Sequence, residues 1–162
     1  SVMHLISVFS LLLVFSFISA ENLPEGYFGR FHLDHSSDNF DDYLQATGVG
    51  WLKRRLISFA KIDKVYTKAG PDSFHFDNLS TAKDLHYKNI VLGKEFIGEG
   101  IDSTKHKITF TFRNGKLYEK HVPTDPNGEQ KEDEYAFKLD GDTLVQTLQA
   151  GGVVAQRYYK RQ

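Results

Sequence analysis

A mainly apolar stretch lies near the start of the sequence, where Leu5 to Ile18 carries no charge and runs into Ser19-Ala20. A membrane-spanning helix needs about 20 apolar residues, whereas the hydrophobic region of a secretory leader needs about 7–15 and ends at small residues. Residues 1–20 therefore read as a signal peptide cleaved after Ala20, with residues 21–162 as the folded part. A single-pass anchor is the alternative that the length disfavours. The mature part begins with a strand from Tyr27 to His35, stopped by Ser36-Ser37-Asp38-Asn39, short polar residues of the kind that cap a helix start. Two short helices follow, Phe40 to Ala46 and Trp51 to Ala60, with Gly48-Val49-Gly50 as the tight link. In the second, Leu52, Leu56 and Phe59 recur at i, i+4 and i+7, and Ile57 and Ala60 widen the stripe, which predicts a face turned to the protein interior. The same wheel puts Trp51, Arg54 and Arg55 on the outer side.

From Lys61 onward the period changes to strict alternation, broken by turn signals every 8–12 residues. Lys107 to Val122 is the clearest case. Ile108, Phe110 and Phe112 share one face, Thr109, Thr111 and Arg113 the other, and Asn114-Gly115 is a strong two-residue hairpin signal. Further turns at Ala69 to Asp72, Thr124 to Gly128, Asp140 to Asp142 and Gly151-Gly152 divide the sequence into about ten strands. A meander of that length escapes two exposed edges by closing on itself, and a barrel of that strand number is wide enough to hold a ligand.

Composition narrows the function. With 20 Lys plus Arg against 21 Asp plus Glu, the formal net charge of −1 gives no basic face for nucleic acid. The absence of Cys excludes disulfides, a thiolate nucleophile and Cys-ligated metals. Thirteen Phe and eight Tyr mean that an apolar space is lined or filled. His32 and His35, three apart on a strand, are expected on opposite faces and so are poor co-ligands for a metal. Ser36-Ser37 and Asp41-Asp42 read as cap and first-turn charge, and no nucleophile, base and orienting group assemble, so neither a catalytic set nor a cofactor is expected.

Gly29-Arg30-Phe31, Asn39-Phe40-Asp41-Asp42-Tyr43-Leu44, Gly48-Val49-Gly50, Leu92-Gly93-Lys94-Glu95-Phe96 and Arg157-Tyr158-Tyr159-Lys160-Arg161 together resemble the fatty-acid-binding protein family. The leader and Gly50-Trp51 are similar to its secreted nematode-type members. The resemblance implies an all-β fold, a ten-stranded antiparallel up-and-down barrel of two near-orthogonal sheets, slightly open between strands four and five. A helix-turn-helix lid over about 40–60 covers a long-chain fatty acid. It implies that Arg157 and Tyr159 hold the ligand carboxylate. A second family position, usually Arg or Gln on the eighth strand, falls near Phe137, with Lys138 beside it facing the other way. The expectation is a single-Arg anchor aided by Gln146. The acyl chain is expected to touch Phe40, Tyr43, Leu44, Ile57, Ala60, Tyr135, Phe137, Gln146 and Leu148, with Phe31, Phe110 and Phe112 as core.

The chemistry is sound by itself: residues two apart on a strand share a face, and a guanidinium fork plus a phenol match a carboxylate. The implied molecule is a monomeric secreted carrier. Its lid would touch anionic membranes through Trp51, Arg54 and Arg55, since an outward Trp beside basic residues suits a lipid interface. Asn78-Leu79-Ser80 is a glycosylation triplet. The rival readings are a lipocalin-like carrier of another hydrophobic ligand such as a retinoid, and a lipid-modifying enzyme. Lipocalins, however, place their helix after the barrel.

Overall fold

The alternation seen in the sequence becomes ten strands in a computed structural model that describes residues 21–128 and 131–162. The signal-peptide reading falls on residues 1–20, outside the described residues. After a short 3₁₀ turn come β1 (Gly29–Ser36), α1 (Phe40–Ala46) and α2 (Trp51–Ser58). They lead into β2 (Ile62–Lys68), β3 (Phe74–Ser80), β4 (Leu85–Ile90), β5 (Phe96–Glu99) and β6 (Lys105–Arg113). The last four are β7 (Lys116–Pro123), β8 (Asp133–Asp140), β9 (Thr143–Ala150) and β10 (Val153–Arg161). All pairings are antiparallel, and the order β4-β3-β2-β1-β10-β9-β8-β7-β6-β5 leaves only β4 and β5 without a common ladder. Hydrogen bonding is thus continuous round a nearly closed barrel, and its two layers are halves of one sheet.

Local chemistry explains the joints. Asn114 and Gly115 both have positive φ, the conformation a tight β6–β7 hairpin requires. At the end of α1, Gly48 takes φ 83°. Its amide bonds the Gln45 carbonyl while Val49 bonds that of Leu44, the paired closure that stops a helix at a glycine. Asn39 does not cap α1 with its side chain as the sequence suggests. It donates instead to the Val154 carbonyl at 2.8 Å, tying the helix start to β10.

Two apolar clusters fill the barrel. Rings from seven strands, among them Phe31, Tyr66, Phe74, Phe76, Phe110 and Phe137, pack with Leu117 and Leu144 at the end away from the helices. Phe31 and Phe110 are fully buried, as expected of core, and Phe112 packs against the same cluster, edge-on to Tyr27. Under the helices a smaller cluster joins Phe40, Tyr43 and Leu44 of α1 to Leu148 and Ala155.

α2 departs from the sequence reading. Leu52, Leu56 and Phe59 are 66%, 67% and 74% exposed, so the stripe faces out rather than in. The inward side is Ile57, packed on the helical cluster, and Arg54, whose side chain is only 16% exposed. Arg54 donates to Asp41 Oδ1 at 2.9 Å and to the Val49 carbonyl at 3.1 Å, and these bonds set the helix rotation.

Candidate functional site

Inward positions on the strands fall on alternate residues, so Ala155, Arg157 and Tyr159 of β10 point into the barrel. Arg157 is buried, and its Nε donates to Ser36 Oγ at 3.0 Å. That contact depends on a bulge in β1. The register shifts between Leu33 and His35, so Ser36 sits opposite Arg157 on the inner face instead of turning outward. The guanidinium carbon lies 4.3 Å from the centre of the Phe40 ring, which fastens Arg157 beneath α1. Two residues on, the Tyr159 hydroxyl donates to Gln146 Oε1 at 3.0 Å, and Gln146 is the β9 partner of Arg157. The structure therefore brings Arg157, Tyr159 and Gln146 to one patch of inner wall.

Burial pulls the Arg157 pKa down from its ordinary value, and the nearby Tyr159 and Tyr43 offset that only in part. Burial likewise pushes the Tyr159 phenol up to about 12. The two groups present a cation and a neutral hydroxyl at neutral pH, the combination that receives a carboxylate.

The remaining expected residues divide by position. Phe40, Tyr43 and Leu44 occupy the buried face of α1, and Leu148, Phe137 and Tyr135 face inward from β9 and β8. Ile57 is half-buried against the helical cluster. Ala60 lies past the end of α2, on a cleft of about 320 Å³ that also touches Leu33, Ser36, Phe40 and Arg157. This cleft runs from the outside to Arg157 between β1 and the helices. Lys138 is exposed, opposite in sense to buried Phe137, as alternation demands.

Three expectations are corrected. Asn78 is not an outward glycan acceptor: it lies on the inner face of β3 beside Phe76, and its Oδ1 accepts from Lys64 Nζ at 2.8 Å. A glycan there would have to occupy the barrel. His32 and His35 do not face opposite sides, because the β1 bulge rephases the strand. His32 bonds Asp63 at 2.5 Å, while His35 bonds Asp34 and stacks on Tyr158 at 4.5 Å. Arg54 is not an outward cation, since it is spent on Asp41 and Val49. Among the described residues no group of three or more His, Asp or Glu could hold a metal ion.

Sequence reasoning missed a polar belt between the two clusters. Lys64 of β2 and Glu119, His121 and His106 of β6 and β7 are buried. His121 Nε2 donates to Glu119 Oε1 at 2.7 Å. Burial works to raise the Glu119 carboxyl, but the His121 hydrogen bond and the charges of His121 and Lys64 outweigh it and hold the carboxyl below its ordinary value. The signal was present: once Ile108 and Phe110 are assigned inward, the hairpin register forces His121 and Glu119 inward as well. The same count along β2 places Lys64 between inward Ile62 and Tyr66.

No protein-family model matches the sequence. The chain is 45% identical over 159 residues to fatty acid-binding protein homolog 2 of Caenorhabditis elegans, covering 96% of this chain and 98% of that one. The structure of As-p18, an extracellular fatty acid binding protein, superposes with a TM-score of 0.82 at 40% identity, over 88% of this chain and all (100%) of the other. A Schistosoma mansoni fatty acid binding protein in complex with arachidonic acid matches with a TM-score of 0.71 at 28% identity, over 85% of this chain and 97% of the other. A barrel with its helices after the first strand is not the lipocalin arrangement. With this order of elements and relatives of this similarity along nearly the whole length, the chain belongs to the fatty acid-binding protein family.

Proposed function

We propose that this protein is a secreted carrier that holds a long-chain fatty acid inside the barrel, its carboxylate on Arg157 and Tyr159 with Gln146 beside them. The observation that carries the reading is Arg157 itself, a buried cation aimed into an apolar barrel with a serine and a ring as neighbours and no ion pair among the described residues. A cation so placed is costly to bury unless an anion joins it. The arachidonic acid in the S. mansoni relative and the extracellular As-p18 point to the same ligand class and compartment. The apolar run from Leu5 to Ile18 supports export. The reading is of a monomeric carrier for extracellular transport or storage, not an enzyme.

Delivery would use the lid. Trp51, Leu52 and Leu56 on α2 and Phe59 just past its end are all exposed, and Arg55 lies 5.3 Å over the Phe59 ring. With Arg54 turned inward, the basic part of this surface is Lys53 and Arg55. Aromatic and aliphatic side chains beside cations suit the surface of an anionic bilayer. Native mass spectrometry of protein exported by a eukaryotic host tests the whole reading from one sample. A mass beginning near Glu21, with one fatty acid released on extraction, is the expected result. Protein that stays in the cell, or that refuses added fatty acid, overturns it.

A further inference from the structure

We propose that Lys64 is a second headgroup-binding cation, so that an anionic lipid is held between the ammonium group on β2 and the Arg157, Tyr159 and Gln146 patch on β9 and β10. The proposal rests on the fatty-acid reading and deepens it by adding a residue and a pH dependence.

A lysine usually keeps its head in water while its stem lies on apolar surface. Lys64 does not, being 6% exposed with its ammonium enclosed by aromatic faces: Nζ lies 5.2 Å from the Phe137 centroid, 5.3 Å from Tyr159 and 5.5 Å from Phe76. An ammonium has three donors, and the Asn78 amide oxygen takes one at 2.8 Å. The interior carboxylate, Glu119, attracts Lys64 through space but is hydrogen-bonded to His121. Two residues along β2 on the same face, the Tyr66 hydroxyl is buried with no hydrogen-bond partner among the described residues. This stretch of wall thus holds more donors than acceptors.

The placement converges on the anchor. Tyr159 presents its ring to Lys64 and its hydroxyl to Gln146, and Arg157 stands two residues away on the same face. Phe137, which carries no polar group, has an ammonium over its ring from across the barrel. A carboxylate has about four lone-pair positions, enough for a guanidinium, a phenol and an ammonium together. Lysine acts here as a compact point charge with donors that rotate to meet the anion.

The same geometry gives a distinct readout. Burial, with Arg157 adding to it and Glu119 opposing, lowers the Lys64 pKa to about 8. The groups facing it are Glu119 with His121 on β7, Arg157 and Tyr159 on β10, Tyr66 on its own strand and neutral Asn78 on β3. Glu119 is held below its ordinary range, and both phenols are raised by burial. Above pH ~8 the free protein loses the Lys64 proton, and a bound carboxylate has to bring it back.

The experiment titrates laurate and dodecanol into wild-type protein and Lys64→Met at pH 7.5 and 9.5. Methionine keeps the length and suits a ring-lined site. The expected result is laurate affinity roughly ten- to hundred-fold lower in Lys64→Met at pH 7.5, the factor carried by one charge-assisted hydrogen bond, with dodecanol unchanged. Wild-type laurate affinity should fall roughly ten-fold or more from pH 7.5 to 9.5, and that of Lys64→Met should not. Equal laurate affinity and equal pH profiles in the two proteins overturn the proposal while leaving the carrier standing. Wild-type protein that takes up neither lipid overturns the carrier reading and this proposal together. A flat wild-type laurate profile overturns it even if the variant does not fold.

Discussion

Replacing Arg157 with leucine separates the proposed anchor from the rest of the binding energy. Arg157 donates to Ser36, lies over Phe40 and forms no ion pair among the described residues, so its charge is free for a ligand carboxylate. One charge-assisted hydrogen bond contributes about 1.5–3 kcal/mol. The roughly 14 methylenes of palmitate contribute about 0.8 kcal/mol each, about 11 kcal/mol before binding costs are subtracted. On the proposed reading the acyl chain therefore supplies most of the affinity and Arg157 the orientation. Arg157→Leu should weaken palmitate about 10- to 100-fold without abolishing binding. Hexadecanol, equally long and uncharged, should bind the variant as well as it binds wild type. The ligand-free protein should not suffer: the variant loses one hydrogen bond and one ring contact, about 1–3 kcal/mol together, and escapes a desolvation cost of several kcal/mol. Calorimetric titration of both lipids, with thermal melts of the empty proteins, measures each quantity. Unchanged palmitate affinity would refute the anchor. An equal loss for hexadecanol would show instead that Arg157 shapes the cavity through packing.

Further outcomes follow from other parts of the molecule. Lys64 has a folded pKa of about 8 against an ordinary value of 10.5, so between those values the unfolded chain binds more protons and stability rises with pH. Denaturant titrations of the empty protein should show about 2 kcal/mol gained from pH 7 to pH 10 relative to Lys64→Met, and equal slopes would contradict the buried ammonium. Leu52→Glu with Leu56→Glu should leave the melting temperature nearly unchanged, because both positions are exposed, yet slow fatty-acid transfer to anionic vesicles. Transfer at the wild-type rate would remove the lid from delivery. Gly98→Ala on β5 should cost about 1–3 kcal/mol in a denaturant titration, since its methyl would stand 2.8 Å from Ile108 Cδ1 and 3.0 Å from Tyr87 Cε1. A neutral result would mean that the β5 edge shifts freely.

Where the sequence was readable, one local rule decided the outcome. Asn114-Gly115 fixed the β6–β7 turn, and alternation then sorted Ile108 and Phe110 from Thr109 and Thr111. For Arg157 and Tyr159 alternation gives only a shared face, and it was the family resemblance that turned that face inward, since a charged residue by itself is expected outside. Where it was not readable, two rules competed. The apolar stripe of α2 reads as a buried face, but the helix rotates about the Arg54 contacts with Asp41 and Val49 and leaves Leu52 and Leu56 outside. No propensity signals such a tertiary contact in advance. The bulge at β1 is a similar case, for one extra residue reverses the sense of everything after it and carries Ser36 to Arg157. Lys64 and Glu119 were within reach of alternation. A charged residue on an inward position contradicts the usual rule that charges face water, and that contradiction marks the position as a candidate for function.

The interior is divided by role. The aromatic cluster around Phe31, Phe76 and Phe110 closes one end of the barrel, and in a chain without cysteine it has to supply the stability by packing. The cluster under α1 is smaller and is bounded by α2, none of whose residues is fully buried. Between them lie Lys64, Arg157 and the Glu119–His121 pair, ionisable groups that a core built for stability alone would replace with apolar side chains. On the proposed reading an anionic lipid neutralises these cations and adds its chain to the apolar contacts, which links its binding to the stability of the fold. At 100 times its Kd a ligand stabilises by about 2.7 kcal/mol, a shift of several degrees in melting temperature for a domain of this size. The shift should be larger for a fatty acid than for the alcohol of equal length, because only the acid neutralises the cations.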